Sequence, residues 1–435
     1  MQSPYLKAVL SICLFLSAAA ARGQHYLSEY DSTLFIRDTA RPILKRLEHL
    51  HFSGYIQPQF QAASARGAAT YAGGNFAEFS ASRFQLRRAR IKVDYILPAK
   101  GRNLPAALFT FQYDITERGA FARDVFLRLY EPKTQKLSLF MGLLARPFGY
   151  EVNLSSAYRE SPERGRMSQV LMPAERDLGA MISFESKKDS VRKPLFRIDA
   201  GVFNGPGLSA PADFDSYKDL IARITLKPYA LGPHLSVGAG LSLLRGGWMQ
   251  VSHYRYETVE RNGVKLFGVD SAAANAGAEA PRHYYGADVQ LIYTHRRGRT
   301  ELRAEYWRGT QPGTATTTVN PGSLPLTPTY IRKFDGAFLY FIQSLGSPDW
   351  ELVAKYDWYD PNRAVSGREI GGAGAGFTAA DVRYGTLGFG INYYMSTQVK
   401  VLAYYEHVRN ETTALTGYTG DQRDDVFTLR MQLRF

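Results

Sequence analysis

From His51 to Phe435 the chain breaks into segments of about ten residues in which apolar and polar side chains alternate. A tilted strand that crosses a bilayer needs about 9–11 residues, and its two faces meet lipid and water in turn. Within 83–95, Ala89, Ile91, Val93 and Tyr95 share one face, while Arg88, Arg90, Lys92 and Asp94 share the other. Leu220, Ala222, Ile224 and Leu226 alternate in the same way with Ile221, Arg223, Thr225 and Lys227. So do Leu302, Ala304 and Tyr306 with Glu301, Arg303, Glu305 and Trp307. Charges this frequent are tolerated where every second position reaches water. An amphipathic helix would space its apolar residues three and four apart, and these segments do not.

Sixteen such segments are predicted as strands: 51–62, 82–96, 105–115, 121–131, 136–145, 177–186, 194–203, 218–228, 234–244, 284–296, 299–308, 330–344, 348–359, 382–395, 398–409 and 424–435. The gaps after even-numbered strands are short, as at Arg297-Gly298 and Ser396-Thr397. Those after odd-numbered strands are long (63–81, 146–176, 204–217, 245–283, 309–329, 360–381 and 410–423), apart from 116–120. Short turns at one end and long loops at the other, with an even strand number, describe an all-β fold. The expectation is a transmembrane antiparallel β-barrel of about 16 strands, with both termini on the turn side. Phe427, Leu429, Met431, Leu433 and Phe435 give the last segment an apolar face that stops on an aromatic. This resembles the C-terminal strand of barrels inserted into the bacterial outer membrane.

Composition agrees. Aromatics reach 13%, with 28 Tyr, 25 Phe and 39 Gly, yet the mean hydropathy is −0.26. Beyond the N-terminus no run of 18 apolar residues offers a membrane helix. On composition alone a secreted soluble all-β protein stays open. Lys7, the apolar run Ala8–Ala21 and the small-x-small site Ala21-Arg22-Gly23 predict a cleaved export signal over 1–23. The single cysteine, Cys13, falls inside it, which leaves the mature chain without disulfide or thiol chemistry. Cleavage takes away Lys7 and Arg22, lowering the formal charge from +13 to +11. In an exported protein that excess belongs inside a pore or on loops, and nucleic acid is not an expected partner. Residues 24–50 read as a periplasmic N-terminal segment with a short helix after Pro42 or as a plain leader, and 51–435 as the barrel domain. The Gly/Ala tract Gly371–Gly376 reads as a flexible outer loop.

Ser53-Gly54-Tyr55-Ile56-Gln57-Pro58-Gln59-Phe60, Phe84-Gln85-Leu86-Arg87-Arg88-Ala89-Arg90 and Phe111-Gln112-Tyr113-Asp114 resemble the opening of the phosphate-selective porin O and P family. Met141-Gly142-Leu143-Leu144-Ala145-Arg146-Pro147-Phe148-Gly149-Tyr150-Glu151 matches its Gly-x-x-x-x-Pro-Phe-Gly-x-Glu pattern, and Ser161–Arg164 and Arg176-Asp177-x-Gly179 follow. The likeness covers about 51–186. It implies a porin passing phosphate or other small anions. The setting is the outer membrane of a Gram-negative bacterium, in contact with lipid, and a porin of this size is expected to form a homotrimer.

The residues support a constriction on their own terms. Loop 146–176 is long enough to fold into the lumen, and Arg146, Arg159, Arg164, Arg166 and Arg176 are suited to select anions through paired N–H donors. Arg88, Arg90, Lys92 and Arg128 would continue a basic lining, with Arg223 and Arg430 further round the wall. Glu151, Glu160, Glu163, Glu175 and Asp177 lie in the same stretch, so three readings stay open: ion pairs that tie loop to wall, a general anion bias, and true phosphate selectivity. Pro147-Phe148-Gly149 reads first as a turn that aims the loop inward. No His-Glu-x-x-His, cysteine ligand set, Gly-x-Ser-x-Gly or phosphate-cradling glycine loop is present, so neither catalysis, cofactor nor metal is expected. The rival to a diffusion porin is a closed barrel serving as an adhesin or scaffold. A lipid hydrolase using His51, His234 or His407 comes third.

Overall fold

The computed structural model describes residues 49–101, 104–186, 195–210, 212–347 and 349–435. The expected export signal and all but the last two residues of the 24–50 segment lie outside them. The first nine strands are β1 (Leu50–Ala63), β2 (Ser82–Pro98), β3 (Pro105–Thr116), β4 (Gly119–Tyr130), β5 (Leu137–Ala145), β6 (Arg176–Glu185), β7 (Phe196–Phe203), β8 (Asp219–Ala230) and β9 (Leu235–Met249). After a hairpin, β10 (Arg255–Arg261) and β11 (Val264–Asp270), come β12 (Glu279–His295), β13 (Gly298–Gly313), β14 (Thr329–Ser344), β15 (Trp350–Asp360), β16 (Tyr384–Tyr394), β17 (Val399–Asn410) and β18 (Val426–Arg434). Sixteen of them, all but β10 and β11, form one closed antiparallel barrel in which β9 pairs with β12 and β18 returns to β1. Every expected strand is present.

The alternation read from sequence is the alternation of the wall. Phe427, Leu429, Met431 and Leu433 are exposed on the outside, whereas Thr428, Arg430 and Gln432 are buried on the inside. Leu220 and Ile224 face out, and Ile221 and Arg223 face in. Closure is completed by the chain end: Phe435 N–H donates to the Gly54 carbonyl and Gly54 N–H to the Phe435 carbonyl, both at 3.0 Å. A Cβ at Gly54 would lie 2.4 Å from the Arg90 carbonyl and 2.6 Å from the Phe435 ring, so the terminal aromatic can seat only over a glycine.

The hairpin was not foreseen. Its turn is Asn262-Gly263, with φ of 52° and 77°, the two left-handed residues that a tight two-residue connection demands. Its Phe267 packs with Val365, Ile370 and Phe377 of the connection 361–383. The Gly371–Gly376 tract is therefore folded rather than a free loop. Gly371, Gly374 and Gly376 adopt positive φ, which lets Ile370, Ala375 and Phe377 turn into the cluster.

The largest apolar cluster lies inside the barrel. Phe148, Val152, Met167, Val170 and Leu171 of the connection between β5 and β6 pack on Met181, Phe203, Ile221, Leu244, Tyr284, Trp307, Phe334 and Tyr359 of the wall. Each such buried side chain contributes about 1.5–3 kcal/mol. The connection is thus pressed against β6–β15.

Gly54→Ala is expected to cost about 1–3 kcal/mol by overpacking the closure. It should lower the fraction of barrel that stays folded in unheated detergent gels. An unchanged fraction would contradict the role given to the terminal aromatic.

Candidate constriction and its guanidinium clasps

The constricting loop enters the lumen through a turn that the wall across the barrel holds by its backbone. Pro147 ends the ladder of β5, and Phe148 sits edge-on to Trp307 and Tyr284, with ring centroids 4.7 and 6.0 Å away. Three successive N–H groups then dock: Gly149 on Ser242 Oγ at 3.0 Å, Tyr150 on Glu305 Oε1 at 2.7 Å, and Glu151 on Glu305 Oε2 at 2.9 Å. Trp307 Nε1 donates to the same carboxylate at 2.7 Å. Gly149 has φ 71°, and a Cβ there would come 2.4 Å from Glu305 Oε1. Only glycine suits both the conformation and the space. The Pro-Phe-Gly element aims the loop.

From this turn the loop crosses the barrel and is bound wherever it touches. Lys355 reaches Glu151 at 3.0 Å, and Arg303 grips Glu160 through two bonds of 2.6 and 2.8 Å. Tyr55 Oη meets Ser156 Oγ at 2.6 Å, while Gln57, Gln432 and Lys400 donate to the carbonyls of Ser156, Ala157 and Arg159. The short helix α1 (Arg166–Leu171) follows before the chain rejoins the wall at β6.

Two carboxylates fasten this second half, and each gathers three guanidiniums. Glu163 is bound by Arg87 at 2.8 Å, Arg88 at 2.6 Å and Arg430 at 2.9 Å. Glu175 is bound by Arg123, by Arg164 at 3.2 Å and by Arg176 at 3.1 Å. Burial alone would raise the Glu163 carboxyl, but Arg87, Arg88 and Arg430 hold it well below the usual carboxylate range. Glu175 follows the same logic, with burial outweighed by Arg123, Arg164 and Arg176. Solvent reaches this sector: Arg87 keeps 26% of its side chain exposed and Asp114 keeps 17%.

Arg87 and Arg123 escaped the alternation rule, and one cause explains both. Opposite Gln57-Pro58 the register slips so that Arg88 pairs with Gln57 and Leu86 with Pro58, leaving Arg87 as the bulged extra residue. Between β3 and β4 the slip at Gln112/Tyr113 leaves Arg123 in the same position. A bulge re-aims its residue, and here it puts two neighbouring side chains into the lumen together. The signal was present as the charged doublets Arg87-Arg88 and Arg123-Asp124 inside strands, which strict alternation cannot accommodate.

The other expected lining residues are also mostly engaged. Arg90 pairs with Asp114 at 3.0 Å and Lys92 with Asp94 at 2.9 Å. Arg128 lies over the rings of Tyr130 and Phe140. Arg146 is fully buried and donates to the Gly205 and Ala174 carbonyls. Arg159 donates to the Leu154 carbonyl, with Nε and Nη1 unpartnered. Arg176 bonds Asp124 as well as Glu175. Arg166 stands apart on the loop side, between Tyr71 and Tyr384. Arg223, further round, pairs with Asp288 at 2.7 Å. Among the described residues no group of three His, Cys, Asp or Glu is placed to hold a metal. His407 Nδ1 is taken by Asp425 and His234 Nδ1 by the Thr294 carbonyl.

Removing one partner of a buried ion pair costs about 3–5 kcal/mol, because the other charge is left uncompensated. Glu163→Gln should therefore free the loop tip, seen as larger open-channel current noise and a lower unfolding temperature. The stabilisation from Glu163 and Glu175 is complete above the ordinary Glu value of 4.5 and is lost only as pH falls through the lower folded values. The difference in unfolding temperature between the intact and Glu163→Gln proteins should therefore hold down to pH 4.5 and close only in stronger acid. A difference that closes near neutral pH would contradict it.

No family model matches the sequence, and no protein of curated function matches it. Solved structures do resemble the fold. OprB of Pseudomonas putida superposes with a TM-score of 0.56 at 9% identity, over 89% of this chain and 94% of that one. The outer membrane channel DcaP of Acinetobacter baumannii gives 0.52 at 12% identity, over 89% and 97%. An anion-selective porin from Comamonas acidovorans gives 0.51 at 12% identity, over 89% and 99%. At these identities the likeness is one of architecture: the chain has a porin-like sixteen-stranded β-barrel.

Proposed function

We propose that the chain is an outer-membrane diffusion porin of a Gram-negative bacterium, passing small hydrophilic solutes with a preference for anions. The observation that carries the preference is the arrangement around Glu163 and Glu175, where each loop carboxylate is outnumbered by three guanidiniums beside the solvent-reached gap. A permeating anion meets a sector whose cations already lie within hydrogen-bond reach of oxygen, and the partly exposed Arg87 is the first of them. Phosphate is the finer form of this reading and rests on the motif likeness over 51–186. The ion-pair reading belongs to the same geometry: Arg88, Arg164 and Arg176 fasten the loop, and the field they leave over biases the gap. The export signal over 1–23 and a homotrimeric assembly are parts of this proposal.

The adhesin or scaffold reading draws on the folded outer loops, whose apolar cluster around Phe267 makes a firm surface. Conductance separates the two. Refolded mature protein in a planar bilayer should open stable channels, with a chloride-leaning reversal potential across a KCl gradient and a current reduced by added phosphate. A cation-leaning potential would overturn the anion preference, and silence from folded protein would overturn the porin.

A further inference from the structure

At the loop end of the barrel a cavity of about 860 Å³ opens between the connection after β1, helix α1 and the connection before β18. Its lining includes Tyr71, Arg166, Gln169, Tyr384, Tyr418 and Asp424. Arg166 is clamped there: Tyr384 lies 3.6 Å and Tyr71 4.6 Å from its guanidinium, on ring faces that fix the plane of the group. Gln169 holds the Tyr71 side of this clamp by donating to the Tyr71 carbonyl at 2.9 Å.

What the clamp does not supply is a full set of polar partners. Among the described residues, the one carboxylate that meets the Arg166 guanidinium is Asp424, at 3.8 Å, beyond hydrogen-bond length. Arg166 Nε has no partner, and neither has Oδ1 of Asp424, a residue only 6% exposed. A cation and an anion thus stand side by side on a cavity wall, held in place by other contacts, and neither satisfies the other. Unmet hydrogen-bonding capacity in a buried charged group is costly, so the pair is poised for a ligand that meets both members.

The adjacency decides the chemistry. A plain anion would satisfy Arg166 and be repelled by Asp424 and by Asp421 of the same lining, whereas a plain cation would meet Arg166, Arg66 and Arg423. A sugar returns no charge to either. An α-amino acid carries an ammonium and a carboxylate on one carbon, the same side-by-side spacing that the wall presents. A peptide, whose termini lie far apart, does not match it. We propose that this vestibule docks free α-amino acids, the carboxylate on the edge of the Arg166 guanidinium and the ammonium on Asp424, with the remaining volume left for varied side chains. The inference deepens the diffusion reading, on which its place as a first stop for permeating solutes rests; the binding itself does not need an open channel.

The test is calorimetric titration of detergent-folded full-length protein with L-alanine, N-acetyl-L-alanine, L-alanine methyl ester, acetate and glucose. Saturable binding of L-alanine is expected, weakened roughly tenfold or more when either charge of the ligand is blocked. Asp424→Asn should weaken L-alanine by a similar factor and strengthen N-acetyl-L-alanine, an anion that Asp424 repels. The blocked ligands make the same comparison on the unmutated protein should the variant fail to fold. Failure of L-alanine to bind, or acetate or glucose binding as tightly, would overturn the site even if the protein conducts. L-Alanine binding by a protein that is silent in the bilayer would uphold the site and overturn the diffusion reading instead.

Discussion

The structure depends on the clasp between the carboxylates of the inward loop and the arginines of the wall. A chain segment of some thirty residues cannot lie inside a barrel unless its charges are matched there, since an unpaired buried ion is costly. Apolar packing of Phe148, Val152 and Leu171 presses one side of the loop against β6–β15, and Glu305 holds its first backbone amides. The apolar contact resumes at Met167, Val170 and Leu171, but none of its buried side chains ties the loop to β2 or β4. Glu163 and Glu175 do, and each draws three guanidiniums into the lumen around it.

The wall supplies the extra cations by breaking its own rule. An alternating strand sends every second residue inward, which limits how closely charges can be stacked along it. The bulges at Arg87 and Arg123 lift that limit at two places, and both fall beside an inward neighbour, Arg88 or Asp124. Pro58, opposite the first slip, has no N–H to give to the ladder, so the irregularity costs least where it occurs.

Much of the fold was legible because lipid outside and water inside leave one pattern for a wall strand. All sixteen wall strands, the turn-and-loop parity and the inward loop follow from that pattern and from gap lengths. The hairpin β10–β11 is announced only by Asn262-Gly263, because it stands outside the wall, where lipid and water do not impose the pattern that marks the other strands. The bulged arginines are hidden from strict alternation because each slip shifts the inward face by one residue. Of the candidate site, residue types and the loop were readable, and partners were not. Glu163 and Arg430 are 267 residues apart, and only closure of the barrel brings them together. The same holds for Arg166 and Asp424, whose mismatch is invisible until the loops are folded.

If the clasped loop sets the width of the channel, its removal must widen the channel. The most direct measurement is the exclusion limit of single channels for a graded series of uncharged polymers, in the intact protein and in one whose segment 152–170 is replaced by a short glycine-serine bridge. The account predicts that the shortened protein admits distinctly larger polymers and keeps its anion preference, because Arg87, Arg88 and Arg430 stay on the wall while Glu163 leaves with the loop. An unchanged exclusion limit in a folded, conducting barrel would contradict it.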